Sequence, residues 1–293
     1  MRDEYKPVKT GVPSMNEPPY EFSRWWSRSY PDMYSVYESV SDFLQVDKQN
    51  IIVGNGCEGT MKSVLFAIKP EKLSFSVPCW GFLDVYSQQI GFKLDKHDYK
   101  LNGKVMEDDD FNEIDVYYAT WPANNYLPTR INGRNMNSSR FSVIDVTYST
   151  PKQIVSLSKS IDVHGKTILV GSFDKLFGCG LRLGFAVFPN EISEQVNIHR
   201  EQFISSAAER AARELSLNQK IYENNFSDMW KILPERTRER CFYVGNNYFV
   251  VNGHHNELNG RLFSVDGMNF TRFGIPENAG ENLNELIDLV ERT

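Results

Sequence analysis

The sequence predicts an α/β protein: a mainly parallel sheet flanked by helices, followed by a smaller α+β domain at the C-terminal end. Three observations carry that reading. Short apolar runs alternate with stretches of helical spacing as far as Pro189, a signature of strands crossing over through helices. Beyond Pro189 the pattern changes to long helical tracts and then to short, closely spaced strands. A chain of 293 residues is long enough to bury a large domain and a smaller one.

The elements follow in order. Ile51 to Val53, Leu73 to Val77, Val116 to Ala119, Phe141 to Asp145, Thr167 to Ser172 and Leu183 to Phe188 read as strands. Glu58 to Ile68, Phe82 to Ile90 and Pro151 to Ser160 carry helical spacing between them. A long helix is expected from Ile192 to about Tyr222 and a second near Phe226 to Cys241. Strands at Tyr248 to Val251, Leu262 to Val265 and Phe270 to Phe273 then precede a final helix, Glu277 to Arg292. In an open sheet of this kind a ligand is expected at the carboxyl ends of the strands.

Composition narrows the function. The 32 Lys and Arg against 38 Asp and Glu give a net charge of −6, and no basic cluster stands out, which argues against nucleic acid. Cys57, Cys79, Cys179 and Cys241 lie far apart without the spacing of a zinc site or a disulfide framework. No metal is therefore expected, and a reduced, cytoplasmic setting is. No apolar stretch approaches the length of a membrane span, and the polar start is unlike a signal peptide. Aromatic residues make up 13% of the chain, densely at Phe22, Trp25, Trp26, Tyr30, Tyr34 and Tyr37, a segment that suits packing or a ligand surface.

The residue that points furthest is Lys175, in Ser172-Phe173-Asp174-Lys175-Leu176-Phe177-Gly178-Cys179-Gly180-Leu181-Arg182. A lysine between buried strands and tight turns is expected to be partly desolvated, which favours the neutral amine that attacks an aldehyde. Ser172 and Arg182 supply a hydroxyl and a guanidinium suited to a phosphate, so a phosphorylated aldehyde such as pyridoxal phosphate fits. The alternative is a surface lysine in a glycine-rich loop. Asp145 closes an apolar strand and Tyr148 follows three residues later, a carboxylate and a phenol able to bond a pyridine nitrogen and a ring oxygen. An Asp that only caps the next turn is the competing reading. Gly54 to Thr60 joins a strand to a helix, as either an anion cradle or a plain turn. It matches neither the phosphate-binding loop of nucleotide hydrolases nor the dinucleotide fingerprint. Trp80, just past a strand end, suits stacking on a planar ligand or a place in the core.

The order of these residues resembles the fold-type I pyridoxal-phosphate aminotransferases, most nearly the histidinol-phosphate aminotransferase branch, from Asn16 to about Gly274. Asn16-Glu17-Pro18-Pro19-Tyr20 is similar to the segment that opens the family's active-site region, and Tyr30-Pro31 to its later Tyr-Pro. The resemblance implies a seven-stranded-type large domain over residues 41 to 200. It also implies an N-terminal arm over 1 to 40 and a small domain over 201 to 293. It implies a homodimer with shared active sites, Tyr30 reaching the neighbouring subunit's cofactor phosphate.

By the same likeness Gly56, Cys57 and Glu58 present amides to the phosphate, with Ser172 and Arg182 beside them, and Trp80 stacks on the ring. Asp145 pairs with the pyridine nitrogen, while Tyr148 and Asn124, with Asn125 as the alternative, bond the 3'-oxygen. Lys175 is the Schiff-base lysine, and Arg272 with Tyr20 holds the substrate, Arg272 by its α-carboxylate. The implied reaction moves an amino group between an amino acid or related amine and a 2-oxo acid. A decarboxylase, lyase or cyclase of the same fold, and a catalytically inactive homologue, are the alternatives. The chain departs from the family in four places. Asp174 stands where Ser or Ala is usual, and Trp121 to Thr129 replaces the usual asparagine loop. The spacing from Lys175 to Arg182 is one residue short, and the chain is short overall.

Overall fold

The computed structural model describes residues 30–122, 126–162, 164–177, 181–225, 231, 233–245, 248–255, 261–274 and 281–292. By compactness the chain divides into two units, each built from two stretches: Met1–Lys69 with Thr150–Asn218, and Pro70–Ser149 with Gln219–Thr293. These units are discontinuous in sequence, whereas the boundaries expected at residues 40 and 200 are linear.

In the first unit, α1 (Met33–Leu44) starts where the Asp32 side chain accepts from the Ser35 amide, and ends at Gln45 in a left-handed conformation. Its buried residues Val36, Val40, Phe43 and Leu44 fall on one stripe at helical spacing. Next come β1 (Ile51–Asn55) and α2 (Gly56–Ile68). The second stretch of this unit begins with α5 (Pro151–Ser160), whose start is encoded by Thr150, Pro151 and Gln153. The Thr150 hydroxyl accepts from the Gln153 amide while the Gln153 side chain accepts from the Thr150 amide. It continues through β9 (Thr167–Ser172), the four-residue α6 (Asp174–Phe177) and β10 (Leu183–Val187). The helices α7 (Ser193–His199), α8 (Ser206–Arg213) and α9 (Leu215–Asn225) follow.

The single helix expected from Ile192 to Tyr222 is therefore broken. Arg200 is extended and Ser205 caps a new helix by accepting from the Ala208 amide. A serine in a periodic apolar pattern restarted the helix there rather than continuing it.

The intervening stretch of the second unit contains β2 (Lys72–Val77), α3 (Phe82–Ile90), β3 (Lys93–Asp98), β4 (Lys100–Asn102), β5 (Val105–Glu107), β6 (Val116–Thr120), β7 (Thr129–Arg130), α4 (Gly133–Ser138) and β8 (Phe141–Asp145). The central sheet has seven strands. Within the first unit β1, β10 and β9 pair in that order and antiparallel; within the second β8, β6, β2 and β3 pair in that order and parallel. The sheet is mostly parallel and flanked by helices, as expected. The strands β1, β6, β8, β9 and β10 are buried along nearly their whole length, which is why each reads as a continuous apolar run. The edge strand β3, Lys-Leu-Asp-Lys-His-Asp, is half exposed and polar, and it escaped sequence reading for that reason.

In its C-terminal stretch the second unit adds α10 (Glu235–Arg240), β11 (Tyr243–Val244), β12 (Tyr248–Asn252), β13 (Arg261–Val265), β14 (Met268–Gly274) and α11 (Glu281–Arg292). Strands β11, β12, β14 and β13, in that order, form an antiparallel sheet covered on both faces. Phe249 and Val251 join Leu233, Cys241, Phe273 and Val290 on one side. Tyr248 and Val250 face Tyr99, Met106, Tyr126, Leu127 and Phe270 on the other. This period-two alternation ties residues 219–293 into one core with the segment around residues 99–127.

Among the described residues no helix is long and apolar enough to cross a membrane, and no group of three metal-ligating side chains occurs.

Candidate active site

In the first unit, the carboxyl ends of β1 and β9 and the amino end of β10 meet a glycine-dependent turn. Gly56, the first residue of α2, has φ +76°, and a Cβ there would lie 2.9 Å from Arg182 Cζ. Gly184 on β10 is tighter still, since a Cβ would come 2.0 Å from the Gly56 carbonyl oxygen. Only glycine lets the two backbones approach this closely. The Gly56 amide donates to the Arg182 carbonyl at 2.8 Å, fixing the strand-to-helix turn to the segment before β10.

Arg182 is exposed and surrounded by acceptors. Its Nη2 donates to the Asn55 carbonyl at 3.1 Å and to Glu58 Oε2 at 3.3 Å, and its Nη1 lies 3.6 Å from Asp174 Oδ2. Asp174 is buried. Its Oδ1 accepts from the Leu183 amide at 2.9 Å, and its own amide donates to Ser172 Oγ at 3.0 Å. Burial pushes the Asp174 carboxyl above the ordinary range, against the pull of the Leu183 amide, Ser172, Arg182 and Lys175. The Ser172 hydroxyl donates to the Leu183 carbonyl at 3.2 Å.

Lys175 follows on α6 and is exposed. The partial desolvation expected for it is not what the structure has. On this short helix the inward positions are taken by Phe173, just before it, and Asp174, so the buried ionisable group is the aspartate and not its neighbour.

A further carboxylate sits nearby. Glu201, in the break between α7 and α8, accepts from the Asn55 amide at 2.5 Å and from Asn55 Nδ2 at 3.1 Å. A Cβ on Gly54 or Gly59 would come within 3.0 Å of the Glu201 carboxylate, so both glycines make room for it. Glu201 was not legible from spacing, because it lies in a linker more than a hundred residues from the turn it serves. Tyr30, expected to reach a neighbouring subunit, stacks on Phe203 with ring centroids 4.8 Å apart.

In the second unit the carboxyl end of β8 carries Asp145, which is buried. Tyr118 on the adjacent strand β6 donates to its Oδ2 at 3.1 Å, and the Thr147 amide donates to its Oδ1 at 2.9 Å. Burial raises the Asp145 carboxyl above the ordinary range, opposed by the bonds from Thr147 and Tyr118. Tyr118 was not singled out in the sequence because Val116-Tyr-Tyr-Ala-Thr120 reads as a plain buried strand. Its hydroxyl shows the second use of the ring.

Trp80 is half buried against Phe82 and Tyr86, at centroid distances of 5.3 and 5.8 Å. Tyr148 packs edge to face on Tyr248, 6.2 Å away. The guanidinium of Arg272, on β14, lies over the same Tyr248 ring at 4.6 Å, and its Nε is buried without a hydrogen-bond partner among the described residues. Thus Tyr148 and Arg272 share Tyr248, a packing role that sequence spacing did not reveal. Tyr20, Asn124 and Asn125 lie outside the described residues.

Solved structures resemble this chain over most of its length. Histidinol-phosphate aminotransferase from Clostridium acetobutylicum superposes with a TM-score of 0.66 at 16% identity, covering 90% of each chain. The fold is that of the fold-type I aminotransferases. The same aminotransferase fold appears in an Escherichia coli protein with methionine aminotransferase function (TM-score 0.70, 12% identity, 96% and 92% covered). It appears also in L-threonine-O-3-phosphate decarboxylase from Porphyromonas gingivalis (0.62, 15%, 90% and 89%).

Two curated relatives share sequence. Histidinol-phosphate aminotransferase of Ruminiclostridium cellulolyticum is 26% identical over 217 residues, 67% of this chain and 60% of that protein. The enzyme of the same name from Clostridium novyi is 22% identical over 258 residues, 80% of this chain and 72% of its own length. This chain thus spans less than two thirds of the first of these relatives. No family model matches.

Proposed function

We propose that the protein is a pyridoxal-phosphate-dependent aminotransferase that moves an amino group between an amino acid or related amine and a 2-oxo acid. The observation that carries this reading is Asp145. A buried carboxyl at the carboxyl end of a parallel strand, held by neutral donors in an aminotransferase fold, suits pairing with a protonated ring nitrogen.

The residues present fit the cofactor. Gly56 leaves room for the Arg182 guanidinium, which a Cβ there would displace, and Arg272 keeps a buried N–H without a hydrogen-bond partner among the described residues. When bound, the cofactor supplies an aldehyde and an electron-withdrawing ring. The chain's own groups do the rest. Lys175 provides the amine and then carries a proton at Nζ, as base and as acid. Asp145 holds the ring-nitrogen proton, and Tyr118 and the Thr147 amide keep its carboxyl in place. By the family resemblance the amides of Cys57 and Glu58 with Arg182 would take the phosphate, Gly56 and Ser172 joining them by giving up their bonds to the Arg182 and Leu183 carbonyls. Trp80 would cover the ring, and Tyr148 with Asn124 would hold the ring oxygen. Arg272 would orient the substrate by its carboxylate, the resemblance assigning Tyr20 to the same substrate, so that the reacting bond is presented consistently. A cytoplasmic homodimer with Tyr30 serving the neighbour's phosphate belongs to the same proposal and rests on the family resemblance.

The experiment is a half-reaction screen. Cofactor-loaded protein is mixed with single amines, and absorbance and products are followed. A 2-oxo acid product supports amino transfer. Release of CO2 without a 2-oxo acid would favour the second reading, a decarboxylase, which the Porphyromonas gingivalis structural neighbour keeps in view.

A further inference from the structure

The corner that would take a cofactor phosphate already holds a charge arrangement of its own. Arg182, its guanidinium, is bracketed by Glu58 Oε2 at 3.3 Å and Asp174 Oδ2 at 3.6 Å. Asp174 is buried and anchored, since its other oxygen accepts from the Leu183 amide and its own amide is tied to Ser172. It therefore cannot swing away from Arg182 without losing a buried hydrogen bond. Ser172 is committed as well, its proton going to the Leu183 carbonyl. The groups facing this corner from the surrounding elements are Glu58 on α2, Asp174 and Lys175 on α6, Arg182 before β10, and Glu201, whose carboxylate sits between Gly54 and Gly59 at the start of α2. Three carboxylates thus stand among two cations, and a phosphate adds further negative charge.

We infer that Asp174 is a positioning residue that reserves Arg182, so that a phosphate-bearing cofactor binds only by competing with the Asp174 carboxylate for the guanidinium. This rests on the reading of the site given above. It assigns the departure at residue 174 a consequence: the protein holds pyridoxal phosphate weakly and releases it readily, most of all at a pH where Asp174 is ionised. Like charges brought together in a partly buried site are costly, and their removal is correspondingly favourable. Since burial raises the Asp174 carboxyl, the neutral form persists above the ordinary carboxylate range, and the competition sets in as pH rises through that raised value.

The test compares two aldehydes that differ only in the phosphate. Equilibrium dialysis measures retention of pyridoxal phosphate and of pyridoxal by the full chain and by Asp174→Asn, from pH 5 to 9. Asn preserves an oxygen for the Leu183 amide, and Asp174→Ser serves as a second variant should Asn disturb folding, checked by thermal melting. Expected is pyridoxal phosphate bound about tenfold tighter or more by the variants, with a gain that grows with pH. Pyridoxal affinity should stay unchanged, and inorganic phosphate should compete more strongly against pyridoxal phosphate in the variants. Equal shifts for both aldehydes, or no shift for either, overturn this inference and leave the functional reading standing. Retention of neither aldehyde by any of the proteins overturns both.

Discussion

Two buried aspartates stand at the ends of two central strands, and they are held in different ways. Asp145 after β8 is fixed by neutral donors, the Tyr118 hydroxyl and the Thr147 amide. Asp174 after β9 is fixed by a backbone amide and paired with a guanidinium. Desolvation raises both carboxyls. The difference is in what each leaves available. Neutral donors steady Asp145 without cancelling its charge, so it remains able to accept a hydrogen bond from a protonated ring nitrogen and keep the ring cationic. The ion pair at Asp174 consumes a cation that a phosphate needs. Similar burial thus gives one strand end a reactive group and the other a competitor, and residue type alone does not distinguish them.

The largest expected effect falls on the lysine beside Asp174. Lys175→Ala should lower turnover of the cofactor-loaded enzyme by on the order of 10³-fold or more, a loss at the upper end of what a proton-transfer group contributes. Steady-state kinetics with the amine found in the half-reaction screen check this. A small loss would move the chemistry away from the β9 end.

Asp145→Asn sharpens the contrast, since it should reduce kcat by about 10²-fold or more while leaving retention of pyridoxal phosphate far less affected. Asp174→Asn should instead act on retention, tightening pyridoxal phosphate about tenfold. Asp145→Asn also has a stability signature. A carboxyl whose folded pKa lies above its unfolded value supports the fold at low pH and loses that support as pH rises through the interval between the two. Thermal melts of the wild type should therefore fall relative to Asp145→Asn as pH climbs past the ordinary carboxylate range. A constant difference from pH 4 to 8 would contradict the burial of Asp145.

Arg272→Ala should weaken binding of a carboxylate substrate by roughly 1.5–3 kcal/mol, read as a rise in KM, because a charge-assisted pair is lost. An amine lacking the carboxylate should show no such rise. The smallest effect belongs to Glu201→Ala. Removing a carboxylate that accepts from the Asn55 amide at the start of α2 should cost about 1 kcal/mol of stability by denaturant titration.

Much of the scaffold was legible in the sequence. Phe141–Asp145 and Thr167–Ser172 were bounded correctly because strands buried on both faces leave uninterrupted apolar runs. Pro151–Ser160 was bounded by a Thr-Pro start that its capping box explains. Illegible features have physical reasons too. The strand Lys93–Asp98 hides behind an exposed edge, and the break at Arg200 to Ser205 hides inside a helix-like pattern. At the candidate site, Asp145, Arg182 and Arg272 were singled out by type and order. Which neighbour each engages was not, since Tyr118, Tyr248 and Glu201 reach their partners through the fold and not along the chain. Lys175 shows the limit most clearly. An apolar flank made it look desolvated, yet the burial fell on Asp174.

The central claim is that Lys175 is the amine that engages the cofactor. Borohydride reduction of protein loaded with pyridoxal phosphate, followed by peptide mass mapping, tests it directly. The expected result is a single phosphopyridoxyl adduct on the peptide containing Lys175, absent in Lys175→Ala. An adduct on another lysine, or none on a protein that retains the cofactor, would contradict the claim.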